Sequence, residues 1–284
     1  MSELFTYQVH GQLATLRVDS VNLGSFARDL HSCARHSVKD VPTDTPADIV
    51  WREDTPGEFS LQLFNDQWGS GFTAENLFFQ SENLITNIFS ERHQEKLQLH
   101  AAGVVSPSGE GWLIAGDSAA GKTSFTLALI LEGWRWISDE MILVEEHDYV
   151  RALGVARNFN IKQVSFPNFP ETTGLPHGIE LHSTRRDCRI RFVDPEMLAP
   201  GQGAGSASIN NFLFPRYDSA AHGLNLNSVA GIALFQRLHV SLFRTQSWAL
   251  PWIQHVVANV PAWDLTYSHP RVAAREIHRR FGRR

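Results

Sequence analysis

Gly116-Asp117-Ser118-Ala119-Ala120-Gly121-Lys122-Thr123 fits the phosphate-loop pattern G-x-x-x-x-G-K-[ST]. In such a loop the backbone N–H groups point inward at phosphate oxygens. The helix that follows adds a favourable partial positive charge at its N-terminus, where Ser124 continues the loop. Lys122 reaches the β- and γ-phosphates, and the Thr123 hydroxyl ligates Mg²⁺. A second cluster follows at Asp139-Glu140. Two adjacent carboxylates can hold Mg²⁺ or take a proton from a nucleophile. The expected cofactors are ATP and Mg²⁺.

The elements around these residues must bring them together. Trp112-Leu113-Ile114-Ala115 reads as a strand and Ser124 to Leu131 as a helix. A helix from Thr123 to Glu132 rises roughly 15 Å. Gly133 is a C-terminal stop. A return strand over Trp134–Ser138 covers roughly 16 Å and brings Asp139 back to the level of the loop. Only 17 positions separate Lys122 from Asp139, far fewer than motor- or transporter-type ATPases use. Arg135 and Ser138 interrupt the apolar run those enzymes place before their acidic pair. No Asn-Lys-x-Asp motif reads guanine, which argues against a GTPase switch.

His100-Ala101-Ala102-Gly103-Val104, the phosphate loop, and Gly133 to Glu140 together resemble the HPr serine kinase/phosphorylase family, and most closely the HPr kinase-related proteins. That family shares its fold with phosphoenolpyruvate carboxykinase. The resemblance is specific over about 97–146 and looser elsewhere. It extends to Arg157–Lys162, Phe214-Pro215-Arg216-Tyr217 and Val260–Tyr267. It implies an α/β, carboxykinase-like P-loop kinase core over 93–284, preceded by a smaller N-terminal α+β lobe over 1–92. By the same resemblance, Asp139 accepts the proton of a serine hydroxyl, Glu140 serves the metal and His100 lies near the phosphates. Two departures stand out: Glu140 replaces the usual Asp, and Ala119 occupies a common glycine position. No segment matches the loop used for the reverse, phosphorylase reaction. Arg157, Lys162 and Arg216 are candidates to neutralise transferring or bound phosphate.

Composition sets the wider bounds. The chain has 284 residues, 43% apolar and 19% charged, with a net charge of −5, so nothing pulls it towards nucleic acid. Cys33 and Cys188 read as two reduced thiols of a cytoplasmic protein. No signal peptide or membrane span is evident. The thirteen histidines show no metal-binding spacing.

Along the first 75 residues, Phe5–Val9 and Ala14–Val18 flank Gly11 as a hairpin. Pro42, Pro46 and Pro56 mark a loop, and Phe59–Leu63 alternates as a strand. Leu77, Leu84, Ile85, Ile88 and Phe89 predict a helix to about Glu91. Its start, Glu75 to Ser81, resembles a protease site used in expression tags but reads as native sequence. The region reads as a structural lobe without chemistry. Further on, Arg189 and Arg191 of Arg185–Arg191 share one face of a strand and are candidate grips on an acidic acceptor. Pro200 to Ser206 is a glycine-rich candidate lid. Ser228–Leu238 predicts an amphipathic helix, and the arginine-rich tail from Arg271 a solvated helix face.

These readings converge on a kinase that transfers phosphate from ATP to a hydroxyl, on a serine of a protein or peptide. The resemblance adds a gene context of peptide modification with a small peptide-binding chaperone. A homo-oligomer is compatible with it. Two other readings stand open: a non-catalytic nucleotide-binding regulator, and a small-molecule kinase acting on free serine.

Overall fold

The computed structural model describes residues 2–36, 46–183 and 187–282. Pro42, Arg185, Arg186, Arg283 and Arg284 therefore lie outside the described residues. Among the described residues the chain is mixed α/β, with three sheets.

The alternating runs at the start form β1 (Glu3–Val9) and β2 (Gln12–Asp19), antiparallel across a tight turn. His10 and Gly11 in that turn both take positive φ, 46° and 82°, as primed hairpin turns require. After α1 (Gly24–Asp29) come β3 (Arg35–His36), β4 (Ile49–Thr55), β5 (Glu58–Leu63) and β6 (Asp66–Phe72). They complete a six-stranded sheet in the order β3-β1-β2-β4-β5-β6. Helix α2 (Ala74–Arg92) begins at Thr73, whose side chain accepts a hydrogen bond from the Asn76 N–H. It buries Leu77, Phe78, Leu84, Ile85, Ile88 and Phe89 against that sheet. Since Leu77 and Phe78 are fully buried, the tag-like stretch is part of the core.

The second sheet carries the phosphate loop. β7 (Leu97–Val105) lies inside it, and β8 (Gly111–Ala115) runs antiparallel to β7. Helix α3 (Lys122–Leu131) follows the loop, apolar nearly all round and buried along most of its length, as a helix packed on two sides must be. Gly133, at φ 89°, turns the chain into β9 (Arg135–Ser138). β9 pairs with the second half of β7, whereas β10 (Met141–Glu145) pairs with its first half. Asp139 and Glu140 form the corner between them, beside His100, whose register partner is Met141.

β11 (Asp148–Gly154) returns along β10. The third sheet is small: β12 (Phe159–Lys162), β13 (Ile179–Ser183) and β14 (Cys188–Val193), in the order β12-β14-β13. After α4 (Pro195–Leu198), β15 (Ser206–Tyr217) joins β8 in parallel. β16 (Leu224–Ser228), α5 (Gly231–Val240), β17 (Leu242–Arg244) and α6 (Ala249–Asn259) lead to β18 (Ala262–Tyr267), which runs parallel to β15. α7 (Pro270–Phe281) ends the described chain and packs on α3. The C-terminal ends of three parallel strands, β8, β15 and β18, thus meet at the phosphate loop, the edge where α/β sheets commonly bind ligands.

The segment Cys188–Val193 is the central strand of its sheet. Two sequence expectations change. The 200–206 loop is no lid: its Gln202 carbonyl accepts from the Trp136 N–H, its Ala204 N–H donates to Trp136 and its Gly205 carbonyl accepts from Gly154. Those bonds sew it to β9 and β11. Finally, Ser228 ends a strand, and the predicted amphipathic helix begins at Gly231. Cys33 and Cys188 are free thiols. No helix among the described residues is long and apolar enough to cross a membrane.

Candidate active site

The loop's shape follows from its glycines. Gly116 takes φ 148° and Gly121 φ 98°, conformations that side chains resist. A Cβ on Gly121 would also lie 2.2 Å from the Tyr267 hydroxyl oxygen. That hydroxyl donates to the Gly121 carbonyl at 3.1 Å, and the Tyr217 N–H donates to the Ala120 carbonyl at 3.0 Å. The ends of β15 and β18 therefore fix the loop from outside. Ala119 adopts φ 68°, the left-handed region that costs a residue with a Cβ about 1–2 kcal/mol. A glycine at this position would avoid that cost. Asp117, Ser118 and Ala119 form the loop's tip, where Ser118 and Ala119 are exposed.

Lys122 is buried, and its ammonium donates to the carbonyls of Gly116 at 2.7 Å and Asp117 at 3.1 Å. Burial lowers its pKa, opposed by the nearby Glu140 and Asp139 charges. The Thr123 hydroxyl donates to Asp139 Oδ2 at 3.0 Å. Ser124 and Ser165 share a hydroxyl hydrogen bond of 3.0 Å. His100 Nε2 stands 3.3 Å from Glu140 Oε1, and Arg157 Nη1 stands 3.8 Å from Glu140 Oε2.

The two carboxylates at the corner differ in kind. Asp139 is 3% exposed, and its Oδ1 has no hydrogen-bond partner. Burial, followed by repulsion from Glu140, raises its pKa to about 7, against the hydrogen bond from Thr123. Glu140 faces the cleft. Burial pushes its pKa up, but the His100 hydrogen bond and the Arg157 and Lys122 charges outweigh that and hold it at about 2. The pair thus contains a carboxyl that titrates near neutrality and a permanent anion.

These residues line a cleft of about 260 Å³ whose walls include His100, Lys122, Thr123, Ser124, Asp139, Glu140, Arg157 and Lys162. Gly121, Ser118, Ala119, Tyr217 and Tyr267 line it as well. Gly116, Asp117, Ala120 and Arg216 face a second cavity of about 900 Å³ across the loop, which shares His100, Ser118 and Ala119 with the cleft.

Arg189 and Arg191 are not brought to either cavity. Both are engaged by Glu180 on the neighbouring strand. Arg191 also donates to the Thr172 hydroxyl at 2.8 Å and stacks 4.0 Å over the Phe166 ring. These contacts give the pair a cross-strand structural role, away from the two cavities. Sequence reasoning assigned no site role to Asn83, Asn160, Ser165, Tyr217 or Tyr267, all of which line the cleft. Nor did it single out Glu82, buried behind the cleft and bonded to Arg157. One signal was available: Glu82 falls on the apolar face of α2, where an unpaired carboxylate would be costly.

No group of three or more His, Cys, Asp or Glu side chains among the described residues could enclose a metal alone. The donor set does fit Mg²⁺ held partly by phosphate: Thr123 and Glu140 offer hard oxygens, and Asp139 Oδ1 is an unsatisfied one.

No protein-family model matches the chain, and no curated protein matches it. Among solved structures, the HPr(Ser) kinase/phosphatase from Coxiella burnetii aligns with a TM-score of 0.34 and 11% identity, over 64% of this chain and 95% of that one. A likeness that faint carries no weight for fold or function.

Proposed function

We propose that this chain is a P-loop phosphotransferase of the carboxykinase-like type, which binds ATP with Mg²⁺ and phosphorylates a hydroxyl. The observation that carries this reading is the contact of Thr123 with Asp139 at 3.0 Å, which joins the phosphate loop to the acidic corner. A glycine turn preceding an ordinary helix would need neither the corner nor its buried, unsatisfied carboxylate oxygen.

The loop N–H groups and the α3 N-terminus hold the phosphates. Lys122 exchanges its loop carbonyls for β- and γ-phosphate oxygens, a charge-assisted contact that favours the transferring group. Thr123 and Glu140 would hold Mg²⁺, which would neutralise charge developing on the phosphates. Asp139 accepts the hydroxyl proton as the acceptor oxygen bonds to the γ-phosphorus and the bond from that phosphorus to ADP breaks, releasing ADP, and His100 steadies Glu140. Lys162 lines the same cleft and provides a cation for the acceptor or the γ-phosphate. The N-terminal lobe over 1–92 and the core over 93–284 are proposed as the two units of the chain. With Arg189 and Arg191 occupied by Glu180, nothing in the cleft favours a peptide over free serine, so both acceptors enter the test.

Asp139→Asn is expected to keep ATP affinity within about threefold, because the loop and Lys122 are untouched. Transfer should slow by roughly 10²–10⁴ through loss of the proton acceptor. The assay is single-turnover transfer from γ-labelled ATP to free serine and to a mixture of serine-bearing peptides. Transfer by the wild type that the substitution leaves intact removes Asp139 from the mechanism. Binding without turnover on either acceptor favours the nucleotide-binding regulator.

A further inference from the structure

The helix that closes the first sheet reaches into the cleft. Asn83 of α2 lines its wall. The preceding residue, Glu82, is 3% exposed and lies behind Arg157, which is 5% exposed. One guanidinium nitrogen of Arg157 donates to both oxygens of the Glu82 carboxylate. The other terminal nitrogen stands 3.8 Å from Glu140 Oε2. Glu140 is also held through its other oxygen by His100, at 3.3 Å.

Glu140 needs this support. Its side chain is 40% exposed, whereas the neighbouring Asp139 is packed in place. A glutamate has one more rotatable bond than an aspartate, and an exposed one samples several rotamers. An aspartate at this corner would reach a metal with less freedom. Here the longer side chain lies between two nitrogen donors, one of which is fixed by a carboxylate 58 positions away in sequence. A buried arginine is rigid only if its charge is matched, and Glu82 is the matching charge.

We infer that Glu82 is a positioning residue for the metal site: through Arg157 it fixes the Glu140 carboxylate towards the Mg²⁺ that accompanies the nucleotide. The inference rests on the proposed metal–nucleotide reading. The same contacts make the N-terminal lobe part of the active site, not an appendage beside it. Partners that orient a metal ligand typically change metal affinity 10- to 100-fold when removed.

The test uses Mn²⁺ as a spectroscopic stand-in for Mg²⁺. Paramagnetic resonance of free Mn²⁺ gives its affinity for the whole chain saturated with ADP, and a titration in chelator gives the affinity for metal-free ADP. Glu82→Gln keeps the size of the side chain but removes the countercharge. Because that leaves Arg157 unmatched and can weaken folding, the double variant Glu82→Leu with Arg157→Met is measured beside it. Removing both buried charges is usually tolerated, yet it leaves Glu140 without its fixed arm. Both variants are expected to bind Mn²⁺ about tenfold or more weakly, with metal-free ADP affinity changed less than about twofold in Glu82→Gln, which keeps Arg157. Adding Glu140→Asp to the double variant should recover part of the loss, because the shorter side chain needs less support. A folded double variant with wild-type Mn²⁺ affinity overturns the positioning role and leaves the metal–nucleotide reading intact. A wild type that binds no Mn²⁺ in the presence of ADP overturns both.

Discussion

Asp139 and Glu140 are neighbours in the chain, yet the fold divides them into a buried carboxyl and a cleft-facing anion. This division predicts a dependence of stability on pH. The pKa of Asp139 rises from 3.8 to about 7 in the folded chain. Folding therefore holds a proton that the unfolded chain releases, and stability from this group is fully present below 3.8 and lost as pH rises through 7. Glu140 acts in the opposite sense and in another window: its contribution is present above 4.5 and lost as pH falls towards 2. For the buried Asp139, every tenfold change in proton affinity on folding is worth about 1.4 kcal/mol. In chelator, Asp139→Asn should therefore be more stable than the wild type at pH 8 by roughly 4 kcal/mol, and the gap should shrink towards pH 5. Thermal unfolding at both pH values measures it, and parallel curves for the two proteins would contradict it. The meeting of the 116–123 loop with the Asp139-Glu140 pair was legible in sequence because few residues separate them. The Thr123–Asp139 distance follows from the rise of one helix and one strand. The roles of Tyr217, Tyr267 and Asn83 were not legible, since strand pairing and helix docking far along the chain bring them to the loop.

At the scale of elements, β14 shows how a correct local pattern can mislead. Arg189 and Arg191 do share a face, as the period of a strand demands. What the period could not show is that β13 lies alongside and presents Glu180 directly opposite Arg191. The two arginines now differ: the Arg189 side chain is 59% exposed, that of Arg191 only 11%. Arg191→Ala should cost roughly 2 kcal/mol through lost charged hydrogen bonds and ring stacking, and Arg189→Ala less than about 0.5 kcal/mol. Urea unfolding separates them, and equal effects would refute the assignment. The 200–206 loop teaches the same lesson. Glycine richness signals backbone freedom, but here that freedom lets the loop bond closely along β9. The hairpin of β1 and β2 and the helix α2 were easier to read, because alternation and helical spacing are carried by consecutive residues.

Across the whole molecule, the loop at 116–123 is held from two directions, by the ends of β15 and β18 and by the corner of β9 and β10, and α2 reaches that corner through Glu82 and Arg157. The overall mixed α/β character was visible in the alternation of strand and helix patterns. The order of nine strands in the central sheet was not, because β7 changes partners along its length and no local signal marks the exchange. Everything proposed for the chain depends on the loop binding phosphate through Lys122. Calorimetric titration of ATP with Mg²⁺ into the wild type and Lys122→Ala addresses that dependence directly. Saturable binding is expected for the wild type, weakened roughly 10- to 100-fold by the substitution, the equivalent of losing about 1.5–3 kcal/mol of charge-assisted hydrogen bonding. Equal affinities in the two proteins, or no binding by the wild type, would contradict it.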